Sequence, residues 1–213
     1  MIFTLFAIAL LSLFLISYSI YAVAQDKKII NQRIKTLNAF VFSVEEDIPR
    51  QLYISSFRII FLFEKRITET GAFITDLNES FEEAFYNGTI YGMQEELMQG
   101  VTFADTIYAI QASGGKINAE FYFNNPKISI KQDDPWHINI TLEGDLFVQD
   151  KNDLVFWNRS FATSSSVSIE KFEDPLYTIY TNSLVINKIN TSIYQPLVTG
   201  NDVINLQKHS EDS

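Results

Sequence analysis

The chain has 213 residues, 46% of them hydrophobic, with 16 Lys plus Arg against 26 Asp plus Glu and a formal net charge of −10. That length suits one membrane segment with one or two small domains, and the acidic balance repels phosphate backbones, so no nucleic acid is expected as a partner. Cysteine is absent and only His137 and His209 are present, which excludes disulfides, zinc–thiolate sites and thiol nucleophiles and leaves little for a histidine metal site.

The first segment, Ile2 to Ala24, carries no charged side chain and exceeds the roughly 20 residues that an α-helix needs to cross a hydrocarbon core. Thr4, Ser12, Ser17 and Ser19 interrupt it only with small hydroxyls, which bond back to a helix backbone. Tyr18, Tyr21 and Gln25 mark its end, where aromatic rings favour the interface. A cleaved export signal is the competing reading, since Ala22-Val23-Ala24 has the A-x-A form. The apolar run is longer than a signal core, however, and lacks a basic leader region. A retained transmembrane helix over residues 1–25 is the expectation.

Two signals conflict on orientation. Lys27, Lys28, Arg33 and Lys35 follow the helix, which by charge alone places the body in the cytoplasm. Glycosylation sequons at Asn78, Asn87, Asn139, Asn158 and Asn190 favour an outside body and a glycoprotein. The expected location is the cell membrane, single-pass, with the body extracellular.

Helical spacing continues past the span. Ile30, Ile34, Leu37, Val41, Val44 and Ile48 alternate steps of four and three, an apolar seam that packs either on its own domain or on a neighbouring copy. Pro49 predicts a kink or a restart. A second helix follows over Arg50–Ile67, its apolar face including Leu52, Ile59, Leu62 and Phe63. Residues 26–69 thus read as an amphipathic helical stalk. After a break at 68–73, residues 70–115 read as short helices. One carries Ile74, Leu77, Phe81 and Phe85 and stops at Asn87-Gly88. The segment "IYGMQEELMQG" is expected to be helical, and a third helix opens on a capping-box pattern, Thr102 with Asp105, and ends at Gly114-Gly115.

From Lys116 the hydrophobic period changes to two. Ile117, Ala119, Phe121 and Phe123 alternate with polar neighbours; a turn at Asn124-Asn125-Pro126 leads to "KISIK"; Asp133-Asp134-Pro135 is a second turn. Ile138, Ile140 and Leu142 alternate next, and Gly144 predicts a bulge or bend. A turn at Asp150–Asp153 precedes two strands, "LVFWNRSF" and "SSVSIE". The segment "LYTIYTNSLVINKI" supplies one or two closing strands. The fold class is α+β, with an antiparallel β domain over 116–190 and a loose polar tail over 191–213.

No constellation points to catalysis. The adjacent acids Glu45-Glu46, Glu82-Glu83, Glu95-Glu96 and Asp133-Asp134 are solvated by an ordinary helix or turn, and general acid–base work needs convergence across a pocket. No phosphate-binding glycine loop, nucleophile elbow or calcium loop is present. No catalytic residue, metal site or cofactor is therefore expected, and the chain is read as non-enzymatic. Trp136, Trp157, Tyr177 and Tyr180 are the candidate binding aromatics, as a stacking platform for a glycan or peptide; such aromatics are more often core or strand-pair residues.

The hydrophobic helix, amphipathic stalk and antiparallel head follow the layout of type IV pilin-like proteins. Two segments, "DDPWHINITLEGDLFVQDKNDLVFWNRSF" at 133–161 and "SIEKFEDPLYTIYTN" at 168–182, resemble uncharacterised archaeal membrane-anchored proteins with pilin-like N-termini. No Glu lies near the start of the apolar run, where the pilin pattern has one. The resemblance implies a helix held in the membrane before assembly and packed in a filament core afterwards. Its partners are then the membrane and other pilin-like subunits, or self, through the N-terminal helix. The implied function is structural: a pilin-like subunit or accessory protein of a cell-surface filament or secretion apparatus. The alternative is a single-pass membrane-anchored extracellular binding module, non-enzymatic, for glycans or peptides.

Overall fold

One helix organises the molecule. The computed structural model describes residues 2–190, and α1 occupies Ile2–Thr70, 69 residues without interruption. At 1.5 Å per residue that is roughly 100 Å. Its two halves differ in surroundings. Phe3, Phe6 and the large apolar side chains from Ile8 to Val23 stand open, with Phe3 at 83% exposure and Leu13 at 61%. From Leu37 onward one face, Leu37, Val41, Val44, Ile48, Leu52, Ile59 and Leu62, is buried under the head. The seam read from the sequence therefore divides. Ile30 and Ile34 are exposed, while Leu37 to Ile48 packs on the chain's own domain.

Pro49 does not restart the helix; it lies inside α1. Proline deprives the Glu45 carbonyl of its usual donor. Ile48 before it and Leu52 after it are both buried, and their packing holds the helix through the missing bond.

The break that follows spans Gly71–Asp76, and α2 (Leu77–Asn87) is capped by the Asp76 carboxylate on the Glu79 N–H and closed by Gly88 in the left-handed region. The segment expected to be helical after it is a hairpin instead. β1 (Thr89–Ile90) pairs antiparallel with β2 (Met93–Gln94), followed by a 3-10 turn at Glu96–Met98. The reason is local. Tyr91 and Gly92 both take positive φ, 52° and 73°, the pattern of a two-residue type I′ turn. Glu83 accepts the N–H of Tyr91 (3.0 Å) and Gly92 (2.7 Å) and the Thr89 hydroxyl (2.7 Å), which holds a non-glycine residue in that conformation. α3 (Phe103–Lys116) has the expected capping box, with Thr102 and Asp105 each bonding the other's backbone N–H. It runs one residue past Gly114-Gly115.

The sheet is a three-stranded antiparallel meander, β3 (Ala119–Asp134), β4 (His137–Asp150) and β5 (Phe156–Ser168), in the order β3-β4-β5. These strands are far longer than the usual five or six residues. At about 3.3 Å per residue they run roughly 45–50 Å, the length of the upper half of α1, along which the ribbon lies. Two expected breaks are absent. Asn124-Asn125-Pro126 is a bulge inside β3, since the register jumps between Asn124↔Asp145 and Lys127↔Glu143. The bulge shifts the inward set from odd positions (Phe121, Phe123) to even ones (Ile128), the parity change that an inserted residue produces. Pro126 is tolerated because β3 is an edge strand and needs no further donor there. Gly144, expected to bulge, is the residue facing that bulge across the ladder, and its own pairing with β5 is regular (Gly144↔Phe161). The two strands expected over 154–170 are one, because the small residues Ala162 to Ser166 between them lack a turn signal.

The sheet stops at Ser168, not near 190. The expected closing strands are α4 (Pro175–Tyr180), with Asp174 as N-cap and Pro175 in its first turn, the residues that open helices. Among the described residues a single bridge, Glu173↔Lys188, follows. The tail assigned to 191–213 lies outside the described residues. The core between sheet, α1 and α3 is rich in phenylalanine: Phe85–Phe103 at 5.5 Å, Phe103–Phe123 at 5.5 Å and Phe123–Phe161 at 6.1 Å between ring centroids.

Candidate functional site

Where the β3–β4 turn meets the C-terminal end of α1, the head leaves a gap. α1 contributes Ile60, Phe63 and Ile67, the sheet contributes Ile130, Trp136 and Ile138, and the segment from Ile169 to α4 forms the third wall, with Phe172 and Leu176. The cavity encloses about 560 Å³, within the range of small-molecule and peptide pockets, which are mostly apolar with a few polar groups. Its shape follows from the fold. α4 and the Glu173↔Lys188 bridge cover the end of the sheet as a flap, held by Lys171 N–H to Ile189 (2.8 Å) and Ile189 N–H to Phe172 (2.9 Å).

The polar groups are at the rim. Glu64 of α1 accepts the backbone N–H of Glu173. Glu173 accepts the Thr68 hydroxyl at 3.0 Å and the Lys188 ammonium at 3.2 Å, and Lys188 lies 3.9 Å from Glu64. Ser183 donates to the Thr68 carbonyl at 2.8 Å. The carboxylates therefore converge, but the Lys188 ammonium, one backbone N–H and the Thr68 hydroxyl already occupy them, so the arrangement clasps the flap to α1. No sequence signal announces it: Glu64 and Glu173 are 109 residues apart.

Of the acids singled out from sequence, Glu45, Glu83, Asp133 and Asp134 have structural partners. Glu45 pairs with Arg159. Glu83 clamps the β1–β2 turn, and its carboxyl is held below the usual range, first by the Thr89 hydroxyl and then by the Gly92 N–H. Asp133 accepts Asn139 Nδ2 at 3.2 Å and pairs with Lys131. Asp134 caps the turn through the Trp136 N–H at 2.7 Å and faces His137 Nδ1 at 3.0 Å. Among the described residues, no group of three or more His, Asp or Glu side chains is arranged to hold a metal ion.

The four candidate aromatics are not brought together. Trp136 lines the cavity. Trp157 packs half-buried against the core, and its partner Val148 lies near the other end of β4, on the order of 35 Å from Trp136 at the strand rise. Tyr177 and Tyr180 are 45% and 80% exposed on α4. Of the sequons, Asn78, Asn87, Asn158 and Asn190 are exposed and Asn139 is half-buried on the outer sheet face. Ser80, which completes the Asn78 sequon, is buried and donates to the Thr75 carbonyl at 3.1 Å.

Near its N-terminus α1 is long and apolar enough to cross a membrane, with a mean hydropathy of 1.8 over its most apolar window and none of that window buried in the molecule. Compared with protein-family profiles, curated proteins and solved structures, the chain matches none.

Proposed function

We propose that this chain is a membrane-anchored, pilin-like subunit or accessory protein of a cell-surface filament or secretion apparatus, with its head outside the cell, glycans on its exposed sequons and no catalytic role. The observation that carries the reading is the division of α1. The same helix buries its C-terminal half under the chain's own sheet and leaves its N-terminal apolar half without any cover from the head. Each large apolar side chain on that half gains about 1.5–3 kcal/mol when removed from water. Lipid satisfies this before assembly, and neighbouring copies of the helix satisfy it afterwards. Topology mapping of a tagged copy, with electron microscopy of the same cells, tests the proposal. Label on the outside, in filaments or extraction-resistant assemblies, is the expected result. Label confined to the cytoplasm refutes it.

The cavity favours a second reading, an anchored binding module. Its apolar walls and the single Trp136 ring suit apolar peptide side chains better than a sugar, which calls for stacking faces with polar groups around them. In a Trp157→Phe background Trp136 is the sole indole, and saturable change of its emission on adding apolar peptides supports this reading. External label spread evenly over the membrane would favour it over the filament.

A further inference from the structure

The head has one end that faces back along α1 toward the apolar span. Arg33 pairs with Asp150 and donates from Nη2 to the Asn118 carbonyl at 2.7 Å; Lys151 N–H donates to the same carbonyl at 3.0 Å. These contacts fix the β4–β5 turn and the end of α3 at the level of residue 33. Farther along the helix Arg159 pairs with Glu45 and the Glu173 backbone N–H donates to the Glu64 carboxylate, so β4 descends toward the span. The turn Lys151–Leu154 extends below Asp150.

The lengths close on the lipid surface. From Ala24, the last residue of the apolar run, to Arg33 is nine residues, about 13 Å of helix. The turn takes up roughly 5 Å of that, about one strand spacing. A headgroup layer adds roughly 5–8 Å outside the hydrocarbon core, and Lys151 and Lys116 extend four-carbon stems beyond the backbone. Apolar side chains that can enter a membrane surface are exposed here. Leu154 is 46% and Phe156 67% exposed, and Phe156 stacks on Phe147, which contacts Tyr122. Six of the 16 basic residues, Lys27, Lys28, Arg33, Lys35, Lys116 and Lys151, are at this end, beside the acids Asp26, Glu120, Asp150 and Asp153, in a chain whose formal net charge is −10.

We propose that this tip rests on the membrane, with Lys116 and Lys151 against anionic lipid phosphates and Leu154 in the interfacial layer. The head is thereby held at a fixed height and rotation above the bilayer. The proposal depends on residues 2–24 forming a membrane span.

The full chain, which contains no cysteine, is made with a fluorophore at Asn152→Cys or at Gln132→Cys. It is reconstituted into phosphatidylcholine vesicles with and without phosphatidylglycerol, carrying a headgroup spin-labelled lipid. Quenching is expected to be severalfold stronger at 152 than at 132, and stronger with phosphatidylglycerol. Lys116→Gln and Lys151→Gln should each weaken tip association about fivefold, the scale of one basic residue near an anionic surface. Equal quenching at the two positions, in a chain that floats with the vesicles, overturns the proposal alone. A chain that fails to float refutes the span and the proposal with it. Energy transfer between labelled copies, without lipid quenching at 152, assigns the tip to a second copy and also overturns the proposal.

Discussion

Removing the Arg33 side chain exposes how firmly the head is fastened to its stalk. Asp150 has a side chain with no exposed surface, while that of Arg33 is 18% exposed. Burial pushes the Asp150 carboxyl up, but the Arg33 guanidinium and the N–H groups of Asn152 and Leu154 outweigh it and hold the carboxyl below its usual range. At an effective dielectric near 20, contact charges attract by about 4 kcal/mol, and desolvation of the pair opposes much of this. In Arg33→Met the covered carboxylate keeps only its backbone donors, and the expected loss is about 2–3 kcal/mol. Guanidinium unfolding in detergent, followed by tryptophan emission, measures it. A cycle with Asp150→Asn should give a coupling of at least about 1 kcal/mol, since a double replacement leaves no orphaned charge. The pH dependence has a definite sign. A depressed carboxyl contributes stability that is present above its unfolded value near 3.9 and lost as pH falls through the lower folded value. Wild type should therefore lose this increment below about pH 4, and Arg33→Met should show a flatter acid limb. A coupling indistinguishable from zero, with unchanged acid limbs, would mean the contact is incidental.

Gly144→Ala should destabilise by about 1–3 kcal/mol or more, because its Cβ would stand 2.2 Å from Phe123 Cε1 and 2.9 Å from the Asn124 carbonyl. Adding Phe123→Leu should recover part of the loss, and strict additivity of the two changes in denaturant melts would contradict the steric account. Pro49→Ala restores a donor for the Glu45 carbonyl and should stabilise by about 1–3 kcal/mol; a lower unfolding midpoint would show that the proline is needed. Glu83→Gln weakens three bonds to the β1–β2 turn and should cost about 1 kcal/mol. Because the Glu83 carboxyl is also depressed, that difference should be present above pH ~4.3 and vanish as pH falls below it. A difference that persists undiminished in acid would refute the charge-assisted account.

The sequence legibly carried whatever rests on one period or one cap. The charge-free run to Ala24, the Leu37–Ile48 part of the Ile30–Ile48 seam, the Thr102–Asp105 capping box and the change of period after Lys116 all appear in the molecule where the sequence signals put them. Two of the misreadings share a cause: a local breaker or turn signal overruled by the packing or pairing around it. Asn124-Asn125-Pro126 has turn chemistry, yet the ladder to β4 resumes beyond it, and a bulge absorbs the extra residue. Pro49 has breaker chemistry, yet α1 continues through it without a restart, with Ile48 and Leu52 buried on either side. In the other direction, the β1–β2 hairpin carries no alternating pattern. It exists because Glu83, on the preceding helix, bonds both N–H groups of its turn.

The site was less legible still, because its walls come from three places that share no motif. Ile60 and Phe63 read as stalk residues, Ile138 as a sheet residue and Leu176 as part of a closing strand. Only Trp136 was singled out among the lining residues. What makes the cavity is the substitution of α4 for an expected strand: a strand would have extended the sheet, whereas a short helix with the Glu173↔Lys188 bridge lies across the sheet's end and stands off from α1. The Glu64–Lys188–Glu173 clasp sets that stand-off, so cavity and flap are one feature. A ligand in the cavity must bind against apolar walls with the clasp closed, or displace Lys188 and open it. Those two modes differ in salt dependence, since only the second breaks ion pairs that screening weakens. Binding that strengthens with ionic strength therefore implies an opening flap, and binding that is indifferent to it implies a pocket that is preformed.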